Sequence, residues 1–273
     1  MSRSGRRSRA AKALGRSATP RREGTAKTPG EIDAMAASGA VLARVHDTLA
    51  KEIAPGVTTG RLDEIAEQLI RDAGGVPSFK GYQGFPGSIC PSRNDEVVHA
   101  IPGDIVLADG DVLSLDCGVT LDGWVSDSAR SYAVGAVTDE ARRLIDVTRE
   151  SLARGIAACV AGNRIGDIGA AVQAEVEAAG FSVVESLVGH GVGRTMHEPP
   201  QVPNYGTAGT GPELFEGLVI AIEPMVNVGG PDITLGPDGW TITSADGSLS
   251  AHWEHTVAVT AAGPRILTLA AGG

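Results

Sequence analysis

The chain repeats itself. The stretch at 55–74, PGVTTGRLDEIAEQLIRDAG, aligns without a gap on the stretch at 161–180, AGNRIGDIGAAVQAEVEAAG. Gly56 falls on Gly162, Gly60 on Gly166 and Gly74 on Gly180, at a constant offset of 106 residues. A second echo follows: 110–116 reads GDVLSLD and 217–223 reads GLVIAIE, each running from a glycine through strand-forming residues to a carboxylate. Each half then carries a further carboxylate ahead of a strand-like run, Asp127 before SARSYAV and Glu254 before HTVAV. A duplication of this size predicts two similar half-domains about a pseudo-two-fold axis, each made of two helices and then carboxylate-bearing strands. Asp116, Asp127, Glu223 and Glu254 would meet in a central cleft that neither half builds alone.

The register of the first pair can be read from its turn. Asp122-Gly123 is a strong two-residue hairpin signal, because a type I′ turn needs positive φ at both positions. Pairing Leu121 with Trp124 puts Val119 opposite Ser126, Gly118 opposite Asp127 and Asp116 opposite Ala129. Asp116 and Asp127 then share one face as diagonal neighbours, roughly 7–8 Å apart at the backbone. Two carboxylates aimed into one space repel unless a proton or a cation lies between them.

Helical spacing of Ile32, Met35, Leu42, Val45, Leu49 and Ile53 predicts a first helix, opened by Thr28-Pro29 with Glu31 and Asp33 in its first turn and closed by Pro55-Gly56. Further helices are expected over 59–73, 138–160 and 162–180. Residues 79–102 read as a loop folded back over the core, rich in Gly and Pro yet holding Phe79, Tyr82, Phe85 and His99. His190 and His197, in GHGVGRTMHEPP, read as irregular backbone. His255 would point away from the cleft if Glu254 points into it.

At 273 residues, 42% of them hydrophobic, the chain can bury one large core. The three cysteines form no CxxC pair, so a reducing compartment is expected and a disulfide framework is not. No apolar run approaches the ~20 residues of a membrane span, and the basic N-terminus lacks the apolar segment of a secretory signal; a cytoplasmic protein with no membrane contact follows. Net charge is −10 overall, but residues 1–28 carry +8 and the remainder −18. The expected organisation is a disordered basic tail over 1–28 and one catalytic domain over 29–273.

Four carboxylates and an imidazole make a hard, oxygen-rich set suited to divalent transition metals. Five ligands exceed the four of a structural zinc, which usually include Cys. They suit two cations roughly 3.5–4 Å apart, with a water between them acidic enough to serve as a nucleophile near neutral pH. HEPP is not the zincin HExxH motif, because the second His is missing and Pro199-Pro200 would break that helix.

The stretches KTPGEIDAM, GYQGFP, NDEVVHAIPGD, DGDVLSLD, DGWVSDSARSYAVG, GHGVGRTMHEPPQVPNY, GLVIAIEPMVN and SLSAHWEHTVAVT, in this order over 27–270, resemble type I methionine aminopeptidase. The resemblance implies the α/β (α+β) pita-bread fold, with a central antiparallel sheet and outer helices. It implies a hydrolase that removes the N-terminal methionine of nascent proteins when the second residue is small and uncharged. Asp116, Asp127, His190, Glu223 and Glu254 would hold two divalent metal ions (Co, Mn, Fe or Zn), with Asp127 and Glu254 bridging. His99 and His197 would contact substrate, and Glu223 would also shuttle a proton. Tyr82, Phe85, Cys90, Met196 and Trp240 would line the methionine pocket. Ala100 stands where the family usually has Gly, and Phe79 and Met196 depart from its commonest pocket residues. The implied partners are nascent polypeptides, and a monomer is expected. The +8 tail lies outside the resemblance to the shortest members; it either holds the enzyme near ribosomal RNA by phosphate contacts or only solvates or folds against its own acidic domain. The competing readings are an Xaa-Pro peptidase of the same fold and a relative that keeps the fold but binds RNA or protein without catalysis.

Overall fold

The computed structural model describes residues 23–270. Helix α1 (Pro29–Glu52) opens on a capping box in which the Thr28 side chain accepts from the Glu31 amide and the Glu31 carboxylate accepts from the Thr28 amide. Helix α2 (Thr59–Asp72) is capped by Thr58, and α3 (Asp139–Ala158) by Thr138. Helix α4 (Ile165–Ala178) follows.

The duplication is visible bond by bond. In the first half the Gly56, Thr59 and Gly60 amides donate to the Leu107, Ile105 and Gly103 carbonyls. In the second, Gly162, Ile165 and Gly166 donate to Leu214, Pro212 and Thr210. Gly74 and Gly180, at φ 79° and 78°, end α2 and α4 in the left-handed region that glycine adopts without strain.

The strand Val112–Leu121 pairs antiparallel with Trp124–Ala133 in the register that the Asp122-Gly123 turn predicts: Leu121 opposite Trp124, Gly118 opposite Asp127, Asp116 opposite Ala129. Helices α1 and α2 pack on this hairpin through Leu42, Val45, Leu49, Leu62 and Ile70 against Leu113, Leu115 and Val119. In the second half, Val219–Ile222 lies between Gly189–Gly191 and His255–Thr260. Its core joins Leu152 and Ile156 of α3 and Ile165 and Ile168 of α4 to Ile220, Ile222, Val257 and Val259.

A seam of hydrogen bonds joins the halves. The Asp127 amide donates to the Thr256 hydroxyl at 2.9 Å, and that hydroxyl donates to the Asp127 carbonyl at 2.8 Å. The Glu254 amide donates to the Ala129 carbonyl at 2.9 Å, and the His252 amide to the Ser131 hydroxyl at 2.9 Å. Asp127 and Glu254 are thus fixed to each other's strands by their own backbones.

Three expectations change. Residues 79–102 are not loop throughout: Ile89–Arg93 pairs with Val112–Leu121, and Glu96–Val98 pairs with Ile242–Ser244. Ile89 and Cys90 are buried, which stabilises a strand despite Pro91. His190 lies in the short strand Gly189–Gly191, paired with Glu198–Val202. Of the tail expected over 1–28, residues 1–22 lie outside the described residues, and the end of the segment is packed. Lys27 is buried, its ammonium 2.7 Å from the Glu198 carboxylate and its amide donating to the Gly217 carbonyl. An ion pair sheltered from water, together with a backbone bond, holds these last residues on the second half. Among the described residues no helix is long and apolar enough to cross a membrane.

Candidate metal centre

Strand register sets where the candidate ligands point. Asp116 and Asp127 share one face of the first hairpin. In the second half Gly191 pairs with Ile220, which places His190 beside Ala221; Glu223, two residues on, points to the same side. His255 pairs with Ile222, so one step further Glu254 stands opposite Glu223. The strands approach closely because the residues flanking His190 are glycines. A Cβ on Gly189 would meet the Ala221 carbonyl oxygen, and one on Gly191 the Pro199 carbonyl oxygen.

These side chains line a cavity of about 270 Å³. All twelve residues singled out in the sequence lie on it: Asp116, Asp127, His190, Glu223 and Glu254; His99 and His197; and Tyr82, Phe85, Cys90, Met196 and Trp240. Asp127, His190 and Glu254 each offer one ligand atom, all within 4.8 Å of one another. The His190 Nε2 is 3.6 Å from Glu223 Oε1 and 3.9 Å from Asp127 Oδ2.

The electrostatics suit a cation. Burial and mutual repulsion push the carboxyls of Asp116 and Glu254 far above the usual carboxylate range, Glu223 follows for the same reasons, and burial pushes Asp127 up to about 7. Asp116 Oδ1, Asp127 Oδ1 and Glu254 Oε1 are buried with no hydrogen-bond donor among the described residues. A buried acceptor without a donor is costly, and a divalent cation removes that cost and the repulsion together. Burial lowers His190 to about 4, so its ring is neutral. Its Nδ1–H donates to the Gly191 carbonyl at 2.8 Å, which turns the Nε2 lone pair toward the carboxylates, the tautomer a metal ligand needs. The residues fit a metal.

Beside this polar end the cavity is apolar and rich in sulfur. Phe85 and Trp240 meet edge to face with ring centroids 5.2 Å apart, and Cys90, Met196 and Met225 are buried around them. His99 follows the Glu96–Val98 strand with φ 61°, an uncommon backbone state that is often found at functional sites. His255 is directed elsewhere, its Nδ1 2.8 Å from the Thr268 hydroxyl.

The sequence reading missed His252. This residue is buried on the cavity wall with its Nε2 3.9 Å from Glu223 Oε2, and neither ring nitrogen has a hydrogen-bond partner among the described residues. A signal was present: His252 and Glu254 are two residues apart in extended chain and share a face.

Residues 33–261 match metallopeptidase family M24. The chain is 50% identical over 243 residues to a methionine aminopeptidase of Clostridium perfringens, covering 89% of this chain and 98% of that one. It is also 50% identical over 266 residues to methionine aminopeptidase 1 of Mycobacterium tuberculosis, covering 95% and 98%. The crystal structure of a methionine aminopeptidase from Rickettsia prowazekii superposes with a TM-score of 0.89 at 41% identity, covering 90% of this chain and 99% of that one.

Proposed function

The chain belongs to metallopeptidase family M24, in its methionine aminopeptidase branch, and from that premise we propose how its residues divide the work. It removes the N-terminal methionine from proteins and peptides. Asp116, Asp127, His190, Glu223 and Glu254 would hold two divalent cations, with Asp127 and Glu254 shared between them. When bound, such cations supply Lewis acidity and lower the pKa of a bound water toward neutrality.

The remaining steps fall to the protein. The thioether of the first residue enters the end lined by Phe85, Cys90, Met196 and Trp240, where soft sulfur and aromatic edges match it. Glu223, on the cavity wall beside His190, accepts a proton from the attacking water and delivers it to the leaving amine. His197 donates a hydrogen bond to the scissile carbonyl as negative charge develops there. His99 stands at the junction between the first and second residues and assists proton movement. With the first side chain in the apolar end, a bulky second residue would strike the cleft wall, so the second residue must be small and uncharged. Nascent chains are the substrate, the cytoplasm the compartment and the monomer the working unit.

The observation that carries this reading is the meeting in one cavity of a buried carboxylate–imidazole cluster with a sulfur-lined apolar end. Turnover of Met-Ala-Ser should exceed that of Met-Leu or Met-Arg peptides by orders of magnitude, and Ala-Pro peptides should be inert, with Co, Mn, Fe or Zn supplied in turn. Efficient cleavage of Met-Leu or Met-Arg peptides would overturn the specificity, and full turnover in metal-stripped protein would overturn the ligand assignment.

A further inference from the structure

Tyr82 belongs to the apolar wall by its ring, but its hydroxyl does something else. It lies 2.8 Å from His197 Nδ1, with ring centroids 5.5 Å apart. Tyr82 comes from the first half and His197 from the second, so this contact crosses the cleft.

The turn that presents Tyr82 is closed on itself. The Gly81 amide donates to the Phe85 carbonyl at 2.8 Å, the Phe85 amide to the Tyr82 carbonyl at 2.9 Å, and the Tyr82 amide to the Phe79 carbonyl at 2.9 Å. Gly81 and Gly84 at φ 86° and 93°, with Gln83 at φ 50°, complete it. A turn held this way fixes where the hydroxyl points.

Two tautomers of His197 fit the 2.8 Å contact. Either the phenol donates to Nδ1 and the ring proton sits on Nε2, or Nδ1–H donates to the phenol oxygen and a lone pair sits on Nε2. The role given to His197 decides between them. A carbonyl oxygen can only accept, so a ring that donates to it carries its proton on Nε2, which leaves Nδ1 to accept from the phenol.

We propose that Tyr82 is a positioning residue that donates to His197 Nδ1 and thereby holds the proton on Nε2, making His197 a hydrogen-bond donor to the substrate carbonyl. His190 and His197, with rings tilted by 56° and centroids 4.3 Å apart, are then set in opposite tautomers by different partners: the Gly191 carbonyl accepts from Nδ1–H of one, and the Tyr82 hydroxyl donates to the Nδ1 lone pair of the other. One imidazole is made a ligand and its neighbour a donor. This inference rests on the reading of His197 as the group that touches the carbonyl.

Tyr82→Phe keeps the ring and removes only the hydroxyl, so it separates the two roles. With Met-Ala-Ser as substrate, kcat should fall about fivefold, the size of one lost neutral hydrogen bond, while KM stays within twofold. In a His197→Ala background the same change should cost nothing further. The imidazole ¹⁵N spectrum, with His197 assigned through that variant, should show Nε2 protonated in the parent and both tautomers in Tyr82→Phe. Equal losses in both backgrounds, a raised KM with unchanged kcat, or an Nδ1–H tautomer in the parent would overturn the proposal. A His197→Ala variant with full activity would instead remove the role given to His197, and the ¹⁵N spectrum would still decide the tautomer.

Discussion

The two halves enter their helices through the same hydrogen bonds and then build the site in different ways. The first half uses one hairpin of two ten-residue strands. Both of its proposed ligands lie within those strands, and both are aspartates. The second half uses strands of three to six residues, flanked by glycines that let backbones touch. Its glutamates sit just beyond strand ends, where a longer side chain reaches back to the cavity. The repeat therefore conserves a frame and leaves the ligand chemistry free: a stiff platform on one side, and on the other a set of short, closely packed strands that also brings in the imidazoles of His190, His197 and His252.

The largest effect should come from the two carboxylates proposed to be shared between cations. Asp127→Asn in the first half and Glu254→Gln in the second should each abolish turnover and lower metal content, with the circular dichroism spectrum retained. Near-normal activity in either variant would mean that one half can hold the site alone.

Glycine substitutions should separate the halves next. An added methyl at Gly189 or Gly191 meets backbone oxygen at its closest contact, whereas one at Gly118, opposite Asp127, meets side-chain atoms of Met196, Phe79 and Ser78. Gly189→Ala and Gly191→Ala should cost about 1–3 kcal/mol in denaturant unfolding, in the range of overpacking, and should weaken metal binding. Gly118→Ala should cost less and raise KM. Equal costs would show that the second half is no more tightly packed.

A third difference concerns acid. His46 of α1 is fully buried and hydrogen-bonded to the Ser128 carbonyl at 3.0 Å, and burial lowers its pKa to about 3 from 6.5. The residue 106 positions on, in α3, is Leu152. Above pH 6.5 the imidazole is neutral in both folded and unfolded chains and is not sensitive to pH. Between 6.5 and about 3 the unfolded chain takes up a proton that the folded one does not, so stability falls with falling pH, by about 1.4 kcal/mol per pH unit. His46→Gln, which keeps a donor for the Ser128 carbonyl, should flatten the acid limb by about one proton; an unchanged slope would place the sensitivity elsewhere.

The smallest effect on turnover should come from the tail. Deleting residues 1–22 should leave peptide turnover unchanged but weaken ribosome co-sedimentation at low salt, as expected if basic residues contact RNA phosphate. Extending the deletion through Thr28 removes the α1 cap and the Lys27–Glu198 pair and should lower stability by at least ~1 kcal/mol. Equal sedimentation of full-length and shortened protein would dispose of the ribosome role, and equal stability of the two truncations would mean that Lys27 braces nothing.

The parts that could be read from the sequence are those governed by local rules. Asp122-Gly123 fixes a turn, the turn fixes a register, and the register puts Asp116 and Asp127 on one face. The helices follow from caps and spacing. What could not be read depends on partners far away in the chain. Ile89–Arg93 is a strand because Val112–Leu121 lies beside it, and His190 is in a strand because its glycines let Val219–Ile222 come close. Lys27 looks like part of a basic tail until Glu198, far along the chain, is placed against it. His252 is a different case: its link to Glu254, two residues on, is local and open to the same spacing rule.

The seam between the halves also sets an order in time. A chain emerges from its N-terminal end, and regions can fold as they appear. Asp116 and Asp127 are made well before Glu223 and Glu254, and the hydroxyl that anchors the Asp127 backbone, on Thr256, comes later still. Until then the first hairpin carries two carboxylates and no imidazole, too few groups for the proposed metal centre. An enzyme that trims the beginnings of other chains therefore stays inert through most of its own synthesis, and acquires its chemistry only as the closing strands arrive.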